Sequence, residues 1–149
     1  MGESYLCGWR FDVPWFFQCA HREIGGNIVP KQSIIDCKTG SKTYSAENYD
    51  EDDLIALAEE LGDEIVPISG DGGGGLRRFS KDGNILVSAA PFWPMEKIIF
   101  MPNYTHYTLH PEQCIIISES YEIKAFGFSK CGNYIAVGTS DTLDIFSKI

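Results

Sequence analysis

An eleven-residue stretch occurs twice in this chain, and its recurrence limits the fold more than any other feature. Phe79-Ser80-Lys81-Asp82-Gly83-Asn84-Ile85-Leu86-Val87-Ser88-Ala89 returns 49 residues later as Phe128-Ser129-Lys130-Cys131-Gly132-Asn133-Tyr134-Ile135-Ala136-Val137-Gly138, and five of the first six positions are identical. Each copy reads as a strand end, a tight turn and a second strand. Gly and Asn tolerate the positive φ that a tight hairpin needs. The run after each turn is apolar and partly β-branched, as a buried strand requires. A further strand candidate follows each copy, Lys97-Ile98-Ile99-Phe100-Met101 and Leu143-Asp144-Ile145-Phe146. The N-terminal part offers a fainter relative in Asn27-Ile28-Val29 and Ser33-Ile34-Ile35-Asp36-Cys37, ending in Lys38-Thr39-Gly40. Several short strands in each period of about 45 residues suggest propeller blades.

The run from Phe128 through Gly138, continued by Thr139-Ser140-Asp141 and Leu143-Asp144-Ile145-Phe146, resembles the WD-repeat and related β-propeller families. Their pattern is F-S-x-D-G-x-Y-hydrophobic-A-x-G-S-x-D followed by an outer strand that often ends in Trp-Asp. Residues 79–90 match its first half, and Ile34-Ile35-Asp36-Cys37-Lys38-Thr39-Gly40 looks like the outer-strand ending of a blade. The likeness covers about half the chain. Cys131 replaces the usual Asp, Ile145-Phe146 replaces Trp-Asp, and no Gly-His dipeptide precedes either copy. A propeller closes with roughly four to eight blades, whereas 149 residues at this period give about three. The resemblance therefore implies antiparallel blade-like sheets, too few for a closed propeller, whose edges are managed within the domain or covered by a copy or a partner.

The net charge of −9 is local. Ten acids (Glu47, Asp50, Glu51, Asp52, Asp53, Glu59, Glu60, Asp63, Glu64 and Asp71) fall in one stretch without Lys, Arg or His, and the remaining 11 acids face 12 bases. Within it Leu54, Leu57, Ala58 and Leu61 stand at i, i+3, i+4 and i+7, which predicts a helix over 47–62 with one apolar face. Asn48 with Glu51 resembles a capping box, and Gly62 suits the C-terminal stop. Asp50 to Asp53 complement the dipole of such a helix. Glu59, Glu60, Asp63 and Glu64 oppose it, so helix stability does not explain them. They form either a solvated face that keeps the protein soluble, or a surface that mimics a nucleic-acid backbone and meets a basic partner. Ile65-Val66-Pro67-Ile68 then reads as an edge strand, because Pro67 excludes a central one, and Gly70 to Gly75 as a loop.

Other chemistry is weak. Gly70-x-Gly72-x-x-Gly75 has the count of a dinucleotide-binding loop but leads into Leu76-Arg77-Arg78-Phe79, a strand rather than a helix. His106, His110 and Cys114 have i, i+4, i+8 spacing, but Pro111 stops a helix there, and strand residues four apart are about 13 Å apart, too far for one ion. No catalytic residue, metal site or cofactor is expected. Five cysteines (Cys7, Cys19, Cys37, Cys114 and Cys131) without a C-x-x-C pair argue for reduced thiols. Trp9, Phe11, Trp15, Phe16 and Phe17 suit a core. Phe92 and Trp93, bracketed by Pro91 and Pro94, are candidates for an exposed interface anchor. The acidity argues against direct nucleic-acid binding. No apolar run approaches the roughly 20 residues that cross a bilayer, and the start lacks a secretory signal, so the cytoplasm is the expected compartment.

The expectation is a single domain over 1–149, mainly β with one acidic helix (α+β). It comprises a first β unit (1–45), the acidic helix (47–62), an edge strand and Gly-rich loop (63–75) and repeated β units (76–102 and 113–149). Its expected role is non-catalytic protein binding. The most concrete form is an immunity or antitoxin-type inhibitor of a basic nuclease toxin, with Asp50, Glu51, Asp52, Asp53, Glu59, Glu60, Asp63 and Glu64 supplying charge complementarity and Phe92 and Trp93 the apolar anchor. The alternatives are a WD-like scaffold that self-associates into a homo-oligomer, and an enzyme with an unrecognised site.

Overall fold

The structure is a computed structural model that describes residues 6–9, 15–24, 27–45, 49–50, 52–53, 55–58, 64–67, 69, 76–129, 131–139 and 142–147. It is built of antiparallel sheets in which sequence neighbours pair. The first holds β1 (Leu6–Trp9), β2 (Trp15–Ile24), β3 (Asn27–Asp36) and β4 (Lys42–Ser45), in that order. The second holds β5 (Tyr49–Asp50), β6 (Ile55–Ala58) and β7 (Glu64–Pro67). The third holds β8 (Ile85–Phe92), β9 (Met95–Met101) and β10 (Ile115–Ser120), and the fourth β11 (Ile123–Phe128), β12 (Tyr134–Thr139) and β13 (Leu143–Ser147). The expected mainly-β class and antiparallel sheets are present.

The acidic helix is not. Among the described residues of 47–62, Tyr49–Asp50 and Ile55–Ala58 are strands, paired Tyr49↔Ala56 and Asp50↔Ile55. β6 then pairs with β7 from Ile55↔Pro67 to Ala58↔Glu64. An isolated helix of about 14 residues is marginal in water, and four acids at its C-terminal end oppose the dipole. A β-branched partner strand at Ile65-Val66 offers the same residues a ladder instead. Leu54, Leu61 and the stop at Gly62 lie outside the described residues. Pro67 stands on the outer strand of its sheet, as its missing N–H requires.

The repeated sequence makes a repeated turn. Ser80 N donates to Asn84 O at 2.9 Å, Gly83 N to Ser80 O at 3.2 Å, and Asn84 N to Ser80 Oγ at 3.2 Å. In the second copy Ser129 N donates to Tyr134 O at 2.9 Å, Gly132 N to Ser129 O at 2.9 Å, and Tyr134 N to Ser129 Oγ at 3.1 Å. Both glycines sit at φ +78°, a conformation that costs a β-carbon dearly. The serine hydroxyl closes each turn, one residue later in the second copy.

The core lies between the third and fourth sheets. The register pairs Phe126 with Val137 and Phe128 with Ile135, so these side chains share one face, and Phe146 opposite Ile135 joins them. That face packs on Leu86, Ile98, Phe100 and Ile117 of the third sheet. Each such burial contributes about 1.5–3 kcal/mol. The opposite face of the fourth sheet is apolar, small on β11 and β12 with Ala125, Gly127, Ala136 and Gly138 in register, and larger on β13 with Leu143 and Ile145. Leu76 settles on it, and Ile35 and Cys37 at the end of the first sheet pack against Leu76 and Ala136.

A short strap, residues 76–79, joins the two sheets. Phe128 N donates to Arg77 O at 2.7 Å and Leu86 N to Arg78 O at 2.9 Å. The Arg78 guanidinium lies 3.3 Å from the centre of the Phe126 ring, a cation–π contact. The strap approaches so closely that a β-carbon on Gly127 would stand 2.7 Å from Arg77 O.

Candidate partner-binding surfaces and an apolar pocket

The structure separates the described acidic residues, Asp50, Asp52 and Asp53 from Glu64, that a helix would gather. Asp50, Asp52 and Asp53 share the β5–β6 turn and are exposed. Asp50 Oδ1 accepts from Asp52 N at 2.9 Å and from Asp53 N at 3.0 Å, so this carboxylate shapes its own turn. Glu64 stands opposite Ala58, at the other end of β6 from that turn, about 10 Å along the strand. Glu51, Glu59, Glu60 and Asp63 lie outside the described residues.

The aromatic pair is where its sequence suggests, and its geometry is sharper. β8 and β9 form a hairpin with Phe92 opposite Met95 and Trp93-Pro94 at the tip. Phe92 is 77% exposed and Trp93 80%. β8 is an outer strand of its sheet, so Pro91 takes a place where a missing N–H breaks no ladder. Tyr121, absent from the sequence reading, is exposed in the β10–β11 turn at the same end of the sheet, where Ser120 pairs with Glu96. Only the antiparallel pairing brings it there. Behind this end the charges are engaged: Lys97 Nζ lies 2.7 Å from Glu119 Oε1, Lys124 Nζ 2.6 Å from Glu122 Oε1, and Ser88 Oγ donates to Glu96 Oε2 at 2.8 Å.

At the other end of the third and fourth sheets a cavity of about 310 Å³ opens beside the two repeat turns. Its walls come from both sheets: Phe100, Ile115, Phe128, Ile135 and Phe146, with Asn84, Gly132, Asn133 and Ser147 completing the lining. Phe100 and Phe128 meet edge to face, 6.4 Å between centroids at 64°. Asn84 and Asn133 hold the same place in the two copies.

The histidines and cysteines are engaged locally. His106 Nδ1 lies 2.7 Å from Thr108 Oγ1, and its ring stacks on Tyr107. His110 Nδ1 lies 3.4 Å from Glu112 Oε1, and Cys114 Sγ donates to His110 O at 3.4 Å. Among the described residues no three His, Cys, Asp or Glu side chains are grouped to hold a metal ion, and no helix is long and apolar enough to cross a membrane. The described Cys37, Cys114 and Cys131 are free thiols. Burial pushes the Cys37 thiol up to about 12, with smaller contributions from Asp36 and Cys131. Trp9, Trp15, Phe16 and Phe17 lie in β1 and β2, with Trp9 opposite Phe16, and Phe11 and the Gly70–Gly75 run lie outside the described residues. No protein family, curated protein or solved structure matches this chain.

Proposed function

We propose that this chain is a non-catalytic protein-binding module for a basic partner, in its most specific form an immunity-type inhibitor of a toxin domain in the cytoplasm. The observation that carries the binding role is the Phe92–Trp93 tip, two adjacent aromatic side chains 77% and 80% exposed on a hairpin fixed by a three-stranded sheet. Aromatic side chains on a rigid support bring large contact area at small entropic cost, and such residues dominate interface energetics. The basic character of the partner rests on the net charge of −9 concentrated in residues 47–71, which would steer a cationic protein toward the surface. The scaffold reading, a degenerate WD-like repeat, is supported by the bonds shared at equivalent places, Gly83 N to Ser80 O and Gly132 N to Ser129 O, with both glycines at φ +78°.

The test is affinity capture followed by kinetics on the captured partner. Phe92→Ser with Trp93→Ser should weaken binding by about 30-fold or more, chiefly through dissociation, with an unchanged unfolding midpoint. Raising salt should slow association of the unaltered chain. Undiminished binding by the double variant would remove the tip from the interface. Self-association is the second reading, favoured by Ile115 and Ile116, 58% and 50% exposed on the outer strand β10. Light scattering separates the two, since a stable homo-oligomer with Ile116 buried supports the second.

A further inference from the structure

The geometry points to a second recognition site, distinct from the hairpin tip: the cavity between the third and fourth sheets receives one aromatic side chain carried on an uncharged stretch of a partner's peptide chain. Three observations carry this. The first is size. At about 310 Å³ the cavity lies at the small end of ligand pockets, which run from about 300 to 1,000 Å³, and suits a single ring system rather than an extended cofactor.

The second is the wall. Phe100, Phe128 and Phe146 present rings, and Ile115 and Ile135 complete an apolar surface, with no charged residue among the described residues of the lining. A charge inserted among these rings would lose its hydration with no opposite charge among the described lining to offset the loss, so the inserted group is neutral. The same neutrality, set in a chain of net charge −9, fits a partner whose bases lie outside the inserted segment. Aromatic pairs gain beyond area burial when edges meet faces, and Phe100 and Phe128 are already in that arrangement.

The third is the carboxamides. Asn84 Oδ1 accepts from Asn103 N at 3.3 Å, which fixes that amide and leaves its N–H₂ group as the donor end. Asn133 is exposed and lines the same cavity. A carboxamide offers one acceptor and two donors, the complement of a peptide group. Two of them, brought to one opening by the repeated turn, can read the peptide groups on either side of an inserted side chain.

The probe is N-acetyl-L-tryptophanamide, titrated into the full chain and followed by backbone amide resonances. Saturable shifts at Asn84, Gly132 and Asn133 are expected. Asn133→Ala should weaken the capped amino acid about fivefold, as loss of one hydrogen bond does. Ser147→Trp, a change at an exposed strand end, should close the cavity and abolish the shifts. Trp93→Ser should leave them unaltered, which separates this site from the hairpin tip. Indole alone binding as tightly as the capped amino acid would overturn the peptide-reading role. Shifts that fail to saturate, or that survive Ser147→Trp, would overturn the site, and the unaltered chain's titration stands if that variant fails to fold.

Discussion

Gly83 and Gly132 hold equivalent places and the same φ of +78°, but their neighbours differ. A β-carbon at Gly132 would meet nothing closer than Ser80 Cβ at 3.6 Å, whereas at Gly83 it would fall 2.3 Å from Tyr104 Cε2. Gly132→Ala should therefore cost about 1–2 kcal/mol, the strain of the left-handed region alone. Gly83→Ala should cost more, because the Tyr104 ring must also move. Gly127→Ala meets backbone, Arg77 O at 2.7 Å, which cannot rotate away, and overpacking of this kind costs about 1–3 kcal/mol or more. Urea midpoints of the three variants, compared at equal m, check the order. A reactivity difference belongs to this scale too. With its pKa raised to about 12 from 9.0 by burial, Cys37 holds about a thousandfold less thiolate near pH 8 than an unperturbed thiol. Iodoacetamide at that pH should label exposed Cys131 well before Cys37. Equal labelling by peptide mass analysis would mean that the packing over Cys37 opens faster than alkylation.

The β5–β6 connection shows how an element is decided. Asp50 accepts from two backbone N–H groups of its own turn, so Asp50→Ala should cost about 0.5–1.5 kcal/mol, while Asp50→Asn keeps an acceptor oxygen and should cost little. If Ala and Asn behave alike in chemical denaturation, the turn does not depend on that side chain. The sequence signals that survived were local ones. The Ser-Lys-x-Gly-Asn turns, the strands after them and the outer place of Pro67 are each decided within a few residues, and each was readable. The helix over 47–62 failed because a 3.6-residue apolar pattern in so short a segment is outweighed by strand partners it cannot see: Ile65 opposite Leu57 and Val66 opposite Ala56. The strap was hidden for the same reason, since Arg77 pairs with Phe128 across the intervening sheet. At the functional sites the balance is similar. The exposure of Phe92 and Trp93 followed from two flanking prolines, but Tyr121 joins their end only through the pairing of β9 with β10. The cavity draws its walls from five strands of two sheets, β9 to β13, and in the sequence only its paired asparagines were visible.

Across the whole molecule the fourth sheet is the middle layer. One face carries Phe126, Phe128 and Val137 against the third sheet, and the other carries Ala136 against Leu76, Ile35 and Cys37. Removing residues 123–149 would uncover Leu86 and Ile98 on one side and Leu76 on the other. Such a fragment should bind a hydrophobic dye strongly and sediment as aggregates. A soluble fragment with a native-like near-ultraviolet spectrum would mean that the other sheets stand alone. The contact of Ile35 and Cys37 with the Leu76–Ala136 cluster also has a meaning in biosynthetic time. On a ribosome adding about 5–20 residues each second, the first sheet emerges roughly 5–20 s before the strand that supplies Ala136. For that interval its apolar end has no native cover, and the nascent chain must be kept from other nascent chains until its own C-terminal sheet arrives.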